Sequence, residues 1–171
     1  QKKYCTLLYR LVRYLKPEVM IELGTSFGVS TMYQASANPE KIFYTLEGNS
    51  LVATIANEYF KEAKVTNIRI KQGNFDDTFP QLLNEVERVD WLFMDGNHRK
   101  EPTMRYFNLA LDKVHSNSVI VVDDINWSPG MKEAWQQIKN HPAVTATIDL
   151  FMMGIVFFNK DLSKEHFVVR Y

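Results

Sequence analysis

The spacing of the apolar positions is helical at the start of the chain and then alternates between strand-like and helical. In the first segment, apolar residues recur every three or four positions, which predicts an amphipathic helix with one buried stripe. The stripe consists of Tyr4, Leu7, Leu8, Leu11, Val12 and Leu15. Basic residues occupy much of the remaining surface, so the helix either docks with a solvated face or lies on a membrane surface or an anionic partner. Pro17 ends this helix.

After Pro17, short apolar runs alternate with amphipathic segments, which predicts strand–helix units around a parallel sheet. The predicted strands span 19–23, 42–47, 67–72, 89–95, 118–123, 145–150 and 154–159, and the predicted helices span 29–37, 50–63, 101–115 and 129–140. About three residues separate the last two strands, too few for a helical crossover, so we predict an antiparallel hairpin at one edge of the sheet. A terminal strand is predicted at 167–171, and either this strand or the first helix offers a surface for a homodimer.

The composition is that of an ordinary globular protein. Its 171 residues suit a single domain, 1–171, that buries a core of its own. The 20 basic and 20 acidic residues cancel, so no general attraction to nucleic acid or to a membrane is expected. Cys5 has no second cysteine to pair with, which suits a reducing, cytoplasmic compartment. The sequence begins at Gln1 without a methionine, so it can be a fragment of a longer chain.

A glycine loop follows the first predicted strand, where open parallel sheets bind nucleotide-like ligands. Glu22, Gly24 and Gly28 give the spacing E-x-G-x-x-x-G, with Ser26 between the two glycines. Glycine lets the backbone turn sharply and approach a ligand that a Cβ atom would block. The spacing differs from the G-x-G-x-x-G of dinucleotide-binding loops, and it therefore favours S-adenosylmethionine over a nicotinamide cofactor. A plain turn is the alternative.

Two further strand ends carry candidate cofactor contacts. Glu47, with Gly48 beside it, lies nineteen residues after Gly28, where an acidic residue commonly accepts the ribose hydroxyls of a nucleotide. The alternative role for Glu47 is to cap the helix that follows. After the third strand, Asn74 is placed to recognise an adenine edge and Phe75 to pack on the ring. An ordinary turn, with Asp77 or Thr78 as a helix cap, is the alternative there.

Carboxylates follow the fourth and fifth predicted strands. Asp95 follows one strand, and Asp123 and Asp124 follow the other, so neighbouring strands would bring the three together. Like charges in close quarters need compensation, either from a divalent cation such as Mg²⁺ bound by all three or from a raised pKa that makes one an acid or base. His98 is a candidate base at neutral pH. We assign His98, Asp95 and Asp123 as catalytic and count Asp95 among the cofactor contacts as well.

These motifs, in this order, resemble the class I S-adenosylmethionine-dependent methyltransferases, in a bacterial branch near the small-molecule O-methyltransferases. The resemblance covers the chain from Pro17 onward and rests on 22–28, Glu47, 94–98, 121–131 and the closing hairpin. It implies a doubly wound α/β fold, Rossmann-like, with seven strands in the order 3-2-1-4-5-7-6. It also implies that Glu22, Gly24 and Gly28 surround the methionine part of the cofactor, that Glu47 binds the ribose and that Asn74 lies near the adenine.

The resemblance further implies methyl transfer to an oxygen of a small-molecule acceptor. Metal-dependent relatives bind their cation with an aspartate after the fourth strand and an Asp-Asn pair after the fifth. Here that pair is Asp123-Asp124, a departure at the second ligand. Two other functions stay open. One is a non-catalytic cofactor-binding module, or part of a larger assembly, and the other is a nicotinamide-dependent oxidoreductase. The glycine spacing and the terminal hairpin argue against the oxidoreductase.

Overall fold

The computed structural model describes residues 2–171. The helices are α1 (Lys2–Leu15), α2 (Val29–Ala37), α3 (Ser50–Glu62), α4 (Phe75–Glu85), α5 (Lys100–Leu111) and α6 (Pro129–Asn140). The strands are β1 (Met20–Leu23), β2 (Phe43–Glu47), β3 (Ile68–Gln72), β4 (Trp91–Met94), β5 (Val119–Val122), β6 (Ala146–Asp149), β7 (Gly154–Phe157) and β8 (Glu165–Val168). The sheet order is β3-β2-β1-β4-β5-β7-β6-β8, which confirms the predicted order and adds an eighth strand. The chain forms two compact units, one ending at Glu85 and one beginning at Val86.

In the first unit, β2 pairs in parallel with both β1 and β3. Every residue of β1 is buried, as expected for a strand covered on both faces. The first helix is docked, because α1 packs against α2 and buries Tyr4, Leu8 and Val12 of the predicted stripe. The carboxyl ends of the three parallel strands lie at one edge, where the glycine loop and Glu47 are found.

Helix α4 is absent from the predicted elements. Pro80 lies inside it, and an internal proline normally argues against a helix because it removes a backbone donor. Tertiary packing outweighs this cost, since α4 buries Phe79, Leu82 and Leu83. Asp76 and Asp77 in the first turn also favour the helix, because their negative charges oppose its dipole.

In the second unit, β4 and β5 are parallel and buried at every position. Strand β7 is antiparallel to both β5 and β6, which confirms the predicted hairpin. The hairpin is not at the edge of the sheet, however, because β8 pairs in parallel with β6 on its outer side. The carboxyl ends of β4, β5 and β6 therefore lie at one edge. None of the helices within residues 2–171 is long and apolar enough to cross a membrane.

Candidate functional site

The carboxylate of Glu22 is completely buried and enclosed by hydrogen bonds. Its Oε1 accepts from Ser30 Oγ at 2.7 Å and from Gln34 Nε2 at 3.0 Å. Its Oε2 accepts from the hydroxyls of Thr31 and Thr45. Burial raises the pKa of Glu22 to about 7, against the four hydrogen bonds, which lower it. The carboxylate therefore ties the start of α2 to β1 and β2, and its contact with the methionine part of a cofactor stays a prediction.

The glycine loop after β1 is joined to the end of β2 by its backbone. The amides of Gly24 and Thr25 both donate to the carbonyl of Leu46, at 3.0 and 3.1 Å. Gly24, Ser26 and Gly28 have φ angles of 109°, 48° and 77°. Such angles are favourable for glycine and strained for serine. The predicted tight turn is therefore present, with one strained non-glycine residue at its centre.

At Gly28 the structure gives a reason for glycine that the sequence did not predict. A Cβ atom built on Gly28 would lie 2.2 Å from the ring of Phe60 in α3. The Phe60 ring therefore occupies the space that a side chain at position 28 would need, whether or not a ligand is bound. Glycine at this position lets α3 pack closely against the start of α2.

Glu47 lies at the end of β2 with both carboxylate oxygens engaged by backbone amides. Its Oε2 accepts from Ser26 N and its Oε1 from Asn49 N, each at 2.9 Å. The cap of α3 is Asn49, whose Oδ1 accepts from the amides of Leu51 and Val52, so Glu47 itself does not cap that helix. Each carboxylate oxygen has a second lone pair. Glu47 can therefore accept from two neighbouring hydroxyl groups.

The loop after β3 lies next to Glu47, since the amide of Gly73 donates to the Glu47 carbonyl at 2.9 Å. Asn74 caps α4, because its Oδ1 accepts from Asp76 N at 3.1 Å. Phe75 begins the helix and is half-buried. The structure thus brings the Asn74 loop beside Glu47, whereas recognition of adenine by Asn74 and Phe75 stays a prediction.

In the second unit, the four predicted catalytic and metal-binding residues come together. The Nε2 atom of His98 lies 3.7 Å from Asp95 Oδ1, and its Nδ1 lies 3.8 Å from Asp124 Oδ2. Burial raises the pKa of Asp123, as does the negative charge of Asp124, whereas hydrogen bonds with the Asp124 amide and the Asp95 side chain, together with the charge of His98, lower it. His98 is thus flanked by two carboxylates, one of which is hydrogen-bonded to a third.

The loops after β4, β5 and β6 contain strained residues, of which Asn97 and Phe151 were not predicted as functional whereas Asp124 was. Asn97, Asp124 and Phe151 have φ angles of 59°, 53° and 71°, in the loops after β4, β5 and β6 respectively. Asn97 Nδ2 donates to the Tyr106 hydroxyl, and its Oδ1 accepts from the Arg99 guanidinium. Asparagine tolerates this left-handed conformation better than most residues. Its position directly after Gly96, at the end of a strand, could therefore have indicated a left-handed turn from the sequence alone. Strain of this kind is concentrated at functional sites.

A family model described as a methyltransferase domain matches residues 21–125. The chain belongs to this methyltransferase family. The matched range begins before Glu22 and ends after Asp124, so it includes every residue predicted for the site. Over 128 residues the chain is 32% identical to a catechol O-methyltransferase of Niastella koreensis, covering 73% of this chain. The chain spans about half the length of that relative, 56%.

Solved structures share the fold of this chain. The O-methyltransferase from Bacillus cereus, in complex with SAH, has a TM-score of 0.79 at 22% identity over 92% of this chain and 81% of that one. The O-methyltransferase TomG from Streptomyces achromogenes, in complex with SAM, has a TM-score of 0.81 at 22% identity over 93% and 81%. At this identity the similarity establishes the architecture only.

The predicted metal ligands, Asp95, Asp123 and Asp124, have the chemistry of a hard-cation site but not the arrangement. Carboxylate oxygens suit Mg²⁺. Among residues 2–171, however, no three His, Cys, Asp or Glu side chains are grouped so that they could hold a metal ion. Asp123 is instead a hydrogen-bond partner of Asp95, which requires that one of the two carboxyl groups carries a proton. The residues as arranged do not fit a divalent cation at Asp95, Asp123 and Asp124.

Proposed function

We propose that this methyltransferase binds S-adenosylmethionine and transfers its methyl group to an oxygen of a small-molecule acceptor. The observation that carries the proposal is the position of Glu47. Its carboxylate is held by Ser26 N and Asn49 N at the carboxyl ends of two paired parallel strands, where open sheets bind nucleotides. Family membership and the O-methyltransferase names of the relatives support the same reaction.

The residues of the first unit fit this cofactor. Glu47 would accept the two ribose hydroxyls with its remaining lone pairs, and the backbone of Gly24, Ser26 and Gly28 would face the methionine part. Asn74 and Phe75 would hold the adenine, and a cofactor contact by Asp95 stays a prediction. A side chain at Gly48 would touch only the Gly73 carbonyl, at 3.9 Å, so the bend after Glu47 is uncrowded. The bound cofactor supplies an electrophilic methyl group on sulfur.

The residues of the second unit would prepare the acceptor. In the proposed reaction the acceptor oxygen bonds to the methyl carbon as the carbon–sulfur bond breaks, and the hydroxyl proton passes to a ring nitrogen of His98. Asp124 on one side of the imidazole, and on the other the Asp95–Asp123 pair, which shares one proton and keeps one negative charge, would stabilise the imidazolium that forms. Asp123 would hold Asp95 in place through their hydrogen bond. No step requires a divalent cation.

The remaining expectations are parts of this proposal. The acceptor is a small molecule with a hydroxyl group, and a homodimer, a cytoplasmic location and a bacterial-type origin stay predictions. The absence of nucleic-acid and membrane partners likewise stays a prediction. The alternative function is a module that binds the cofactor without catalysing a reaction. A measurement of turnover distinguishes it from the enzyme.

The test of the proposal is calorimetric titration with S-adenosylhomocysteine, with NADH in parallel. We expect the homocysteine compound to bind and Glu47→Ala to weaken it about tenfold or more, the usual cost of losing a charged hydrogen-bond acceptor. Glu40→Ala is the matched control, because Glu40 is exposed at the opposite end of β2 and should leave the affinity unchanged. Binding of NADH instead, or equal binding by Glu47→Ala, would overturn the proposal.

The same preparations test the second unit. With an acceptor panel, His98→Ala should abolish turnover while leaving the affinity for S-adenosylhomocysteine intact. Added MgCl₂ should not change that affinity, because Asp95 and Asp123 are hydrogen-bonded to each other. Tightening by MgCl₂ that is lost in Asp124→Asn would show that the aspartates rearrange into a cation site. Binding without turnover on any acceptor would favour the non-catalytic module.

A further inference from the structure

Phe151 is an exposed aromatic residue in a backbone conformation that is unfavourable for its side chain. It lies in the turn between β6 and β7 with a φ angle of 71°, in the left-handed region. For a bulky residue this conformation is strained, and glycine or asparagine is the usual choice. Burial does not compensate for the strain, because Phe151 is 69% exposed. Neither the turn nor the packing within residues 2–171 therefore explains a phenylalanine at this position.

Hydrogen bonds around Phe151 hold this conformation in place. The Phe151 amide donates to Asp149 Oδ1 at 2.8 Å, and the second oxygen of that carboxylate accepts from the indole of Trp135 in α6, at 3.0 Å. Within the turn, the Leu150 amide donates to the Met153 carbonyl at 2.8 Å. A strained conformation persists only where its surroundings fix it in this way, and such strain is concentrated at functional sites.

The same turn is joined to the loop that carries part of the proposed reaction centre. Asn126 Nδ2 donates to the Phe151 carbonyl at 2.8 Å. The Ile125 amide donates to the carbonyl of the residue after Phe151, at 3.1 Å. These two residues directly follow Asp124, whose Oδ2 lies 3.8 Å from His98 Nδ1. Phe151 is therefore fixed in one cluster of loops with the histidine that receives the acceptor proton in the proposed reaction.

Trp127 is a second exposed aromatic residue in this cluster of loops. It is 72% exposed, and its amide donates to the Asp124 carbonyl at 2.9 Å. Trp127 directly follows Asn126, so both aromatic residues adjoin the hydrogen bond between Asn126 and Phe151. Exposed apolar surface that is grouped in this way, and rimmed by polar residues, is typical of a ligand-binding groove.

We propose that Phe151 is a specificity-determining residue that packs against a flat, apolar part of the methyl acceptor. The inference rests on the proposed function, because it takes the acceptor to be bound at His98. The turn is joined to the Asp124 loop beside that histidine, and this assigns the occupant as the acceptor. An aromatic ring offers a large apolar area and favours another ring in offset or edge-to-face contact. The acceptor class that fits is a hydroxyl group on an aromatic ring.

Calorimetric titration of the whole chain with naphthol and with decahydronaphthol, its saturated counterpart, tests the aromatic contact without requiring turnover. Both probes carry one hydroxyl group on the same carbon skeleton, and only naphthol is flat. We expect naphthol to bind more tightly, with S-adenosylhomocysteine present. Phe151→Gly and Phe151→Asn should each weaken naphthol binding about threefold to tenfold, the cost of one aromatic contact, and leave the affinity for S-adenosylhomocysteine unchanged.

Urea unfolding of the same variants separates this role from a structural one. Asparagine suits a φ of 71° and the lost ring is largely exposed, so the unfolding midpoint of Phe151→Asn should not fall. Lys64→Gly is the matched control. Lys64 is exposed and has a φ of 57° after α3, so glycine relieves the same kind of strain there and should leave naphthol binding unchanged.

A wild-type chain that binds naphthol no more tightly than decahydronaphthol overturns the proposal. So does a Phe151→Asn variant that binds naphthol as the wild type does, or that unfolds at a lower urea concentration. With any acceptor that is turned over, Phe151→Asn should raise KM severalfold at unchanged kcat, because the contact is the same before and during the reaction. Failure to bind S-adenosylhomocysteine, or full turnover by His98→Ala, would overturn the proposed function instead, so the two failures are distinguishable.

Discussion

Glu22 and Glu47 are carboxylates on paired strands with opposite surroundings. Glu22 is enclosed by four side-chain donors, and burial raises its pKa to about 7. Glu47 is half-buried, and within residues 2–171 the hydrogen bonds to its oxygens come from two backbone amides. Glu22 therefore positions the loop, whereas Glu47 keeps acceptor capacity for a ligand.

The raised pKa of Glu22 makes stability depend on pH. Between the ordinary pKa of 4.5 and about 7, the folded chain binds more protons than the unfolded chain, so stability falls as pH rises through this window. The contribution of Glu22 to this loss is at most roughly 3 kcal/mol. Glu22→Gln should flatten the dependence, as measured by urea unfolding from about pH 5 to about pH 8.

Glu18→Gln is the matched control for this experiment. Glu18 is exposed and pairs with Lys41 at 3.0 Å, so its removal should leave the pH slope of the wild type in place. If Glu22→Gln and the wild type lose stability with the same slope, protonation of Glu22 is not coupled to folding.

At the scale of elements, the start of α2 and the last turn of α3 approach each other closely at Gly28 and Phe60. Gly28→Ala brings a Cβ atom to 2.2 Å from the Phe60 ring and adds strain at a φ of 77°. We expect a loss of about 1–3 kcal/mol in the free energy of unfolding without any ligand. The loss should be smaller in a Phe60→Ala background, because the ring is then absent while the backbone strain stays.

Gly48→Ala is the control for the glycine experiment. Its φ is not in the left-handed region, and the nearest atom to a Cβ there is the Gly73 carbonyl oxygen, at ordinary contact distance. Urea unfolding of Gly48→Ala should therefore differ little from the wild type. A Gly28→Ala cost that is the same with and without the Phe60 ring would show that backbone strain alone explains it.

At the scale of the whole molecule, we expect the two compact units to unfold together. The three tryptophans, Trp91, Trp127 and Trp135, all lie beyond Val86, whereas helices of both units contribute to circular dichroism. If residues 1–171 form one domain, the two signals should give coincident transitions. Gly28→Ala, a change in the first unit, should shift the tryptophan transition as well.

The matched comparison is Gly48→Ala, which should leave both transitions in place. Two separate transitions, or a tryptophan signal unaffected by Gly28→Ala, would show that the units fold independently. A cofactor bound through Glu47 should stabilise both signals together by mass action if the chain is one domain.

Much of the architecture was predictable because it depends on local spacing. Buried strands such as β4 and β5 were predictable because their apolar and β-branched residues are consecutive in the sequence. The connection between β6 and β7 is so short that it allows only an antiparallel hairpin. Helix α4 was not predictable, because Pro80 argued against a helix that tertiary packing stabilises. Strand β8 was shifted from the predicted 167–171, because its position is set by pairing with β6 and not by burial of its side chains.

The sequence by itself determined the strand–helix alternation, the glycine loop and the chemical types at the strand ends, because these follow from spacing, backbone freedom and functional groups. Only the tertiary structure decided which of those groups are accessible. It enclosed Glu22, gave the cap of α3 to Asn49 rather than Glu47, and set Asp95 against Asp123 in place of a metal-binding arrangement. Burial and hydrogen-bond partners come from residues distant in the chain, so no local pattern contains them.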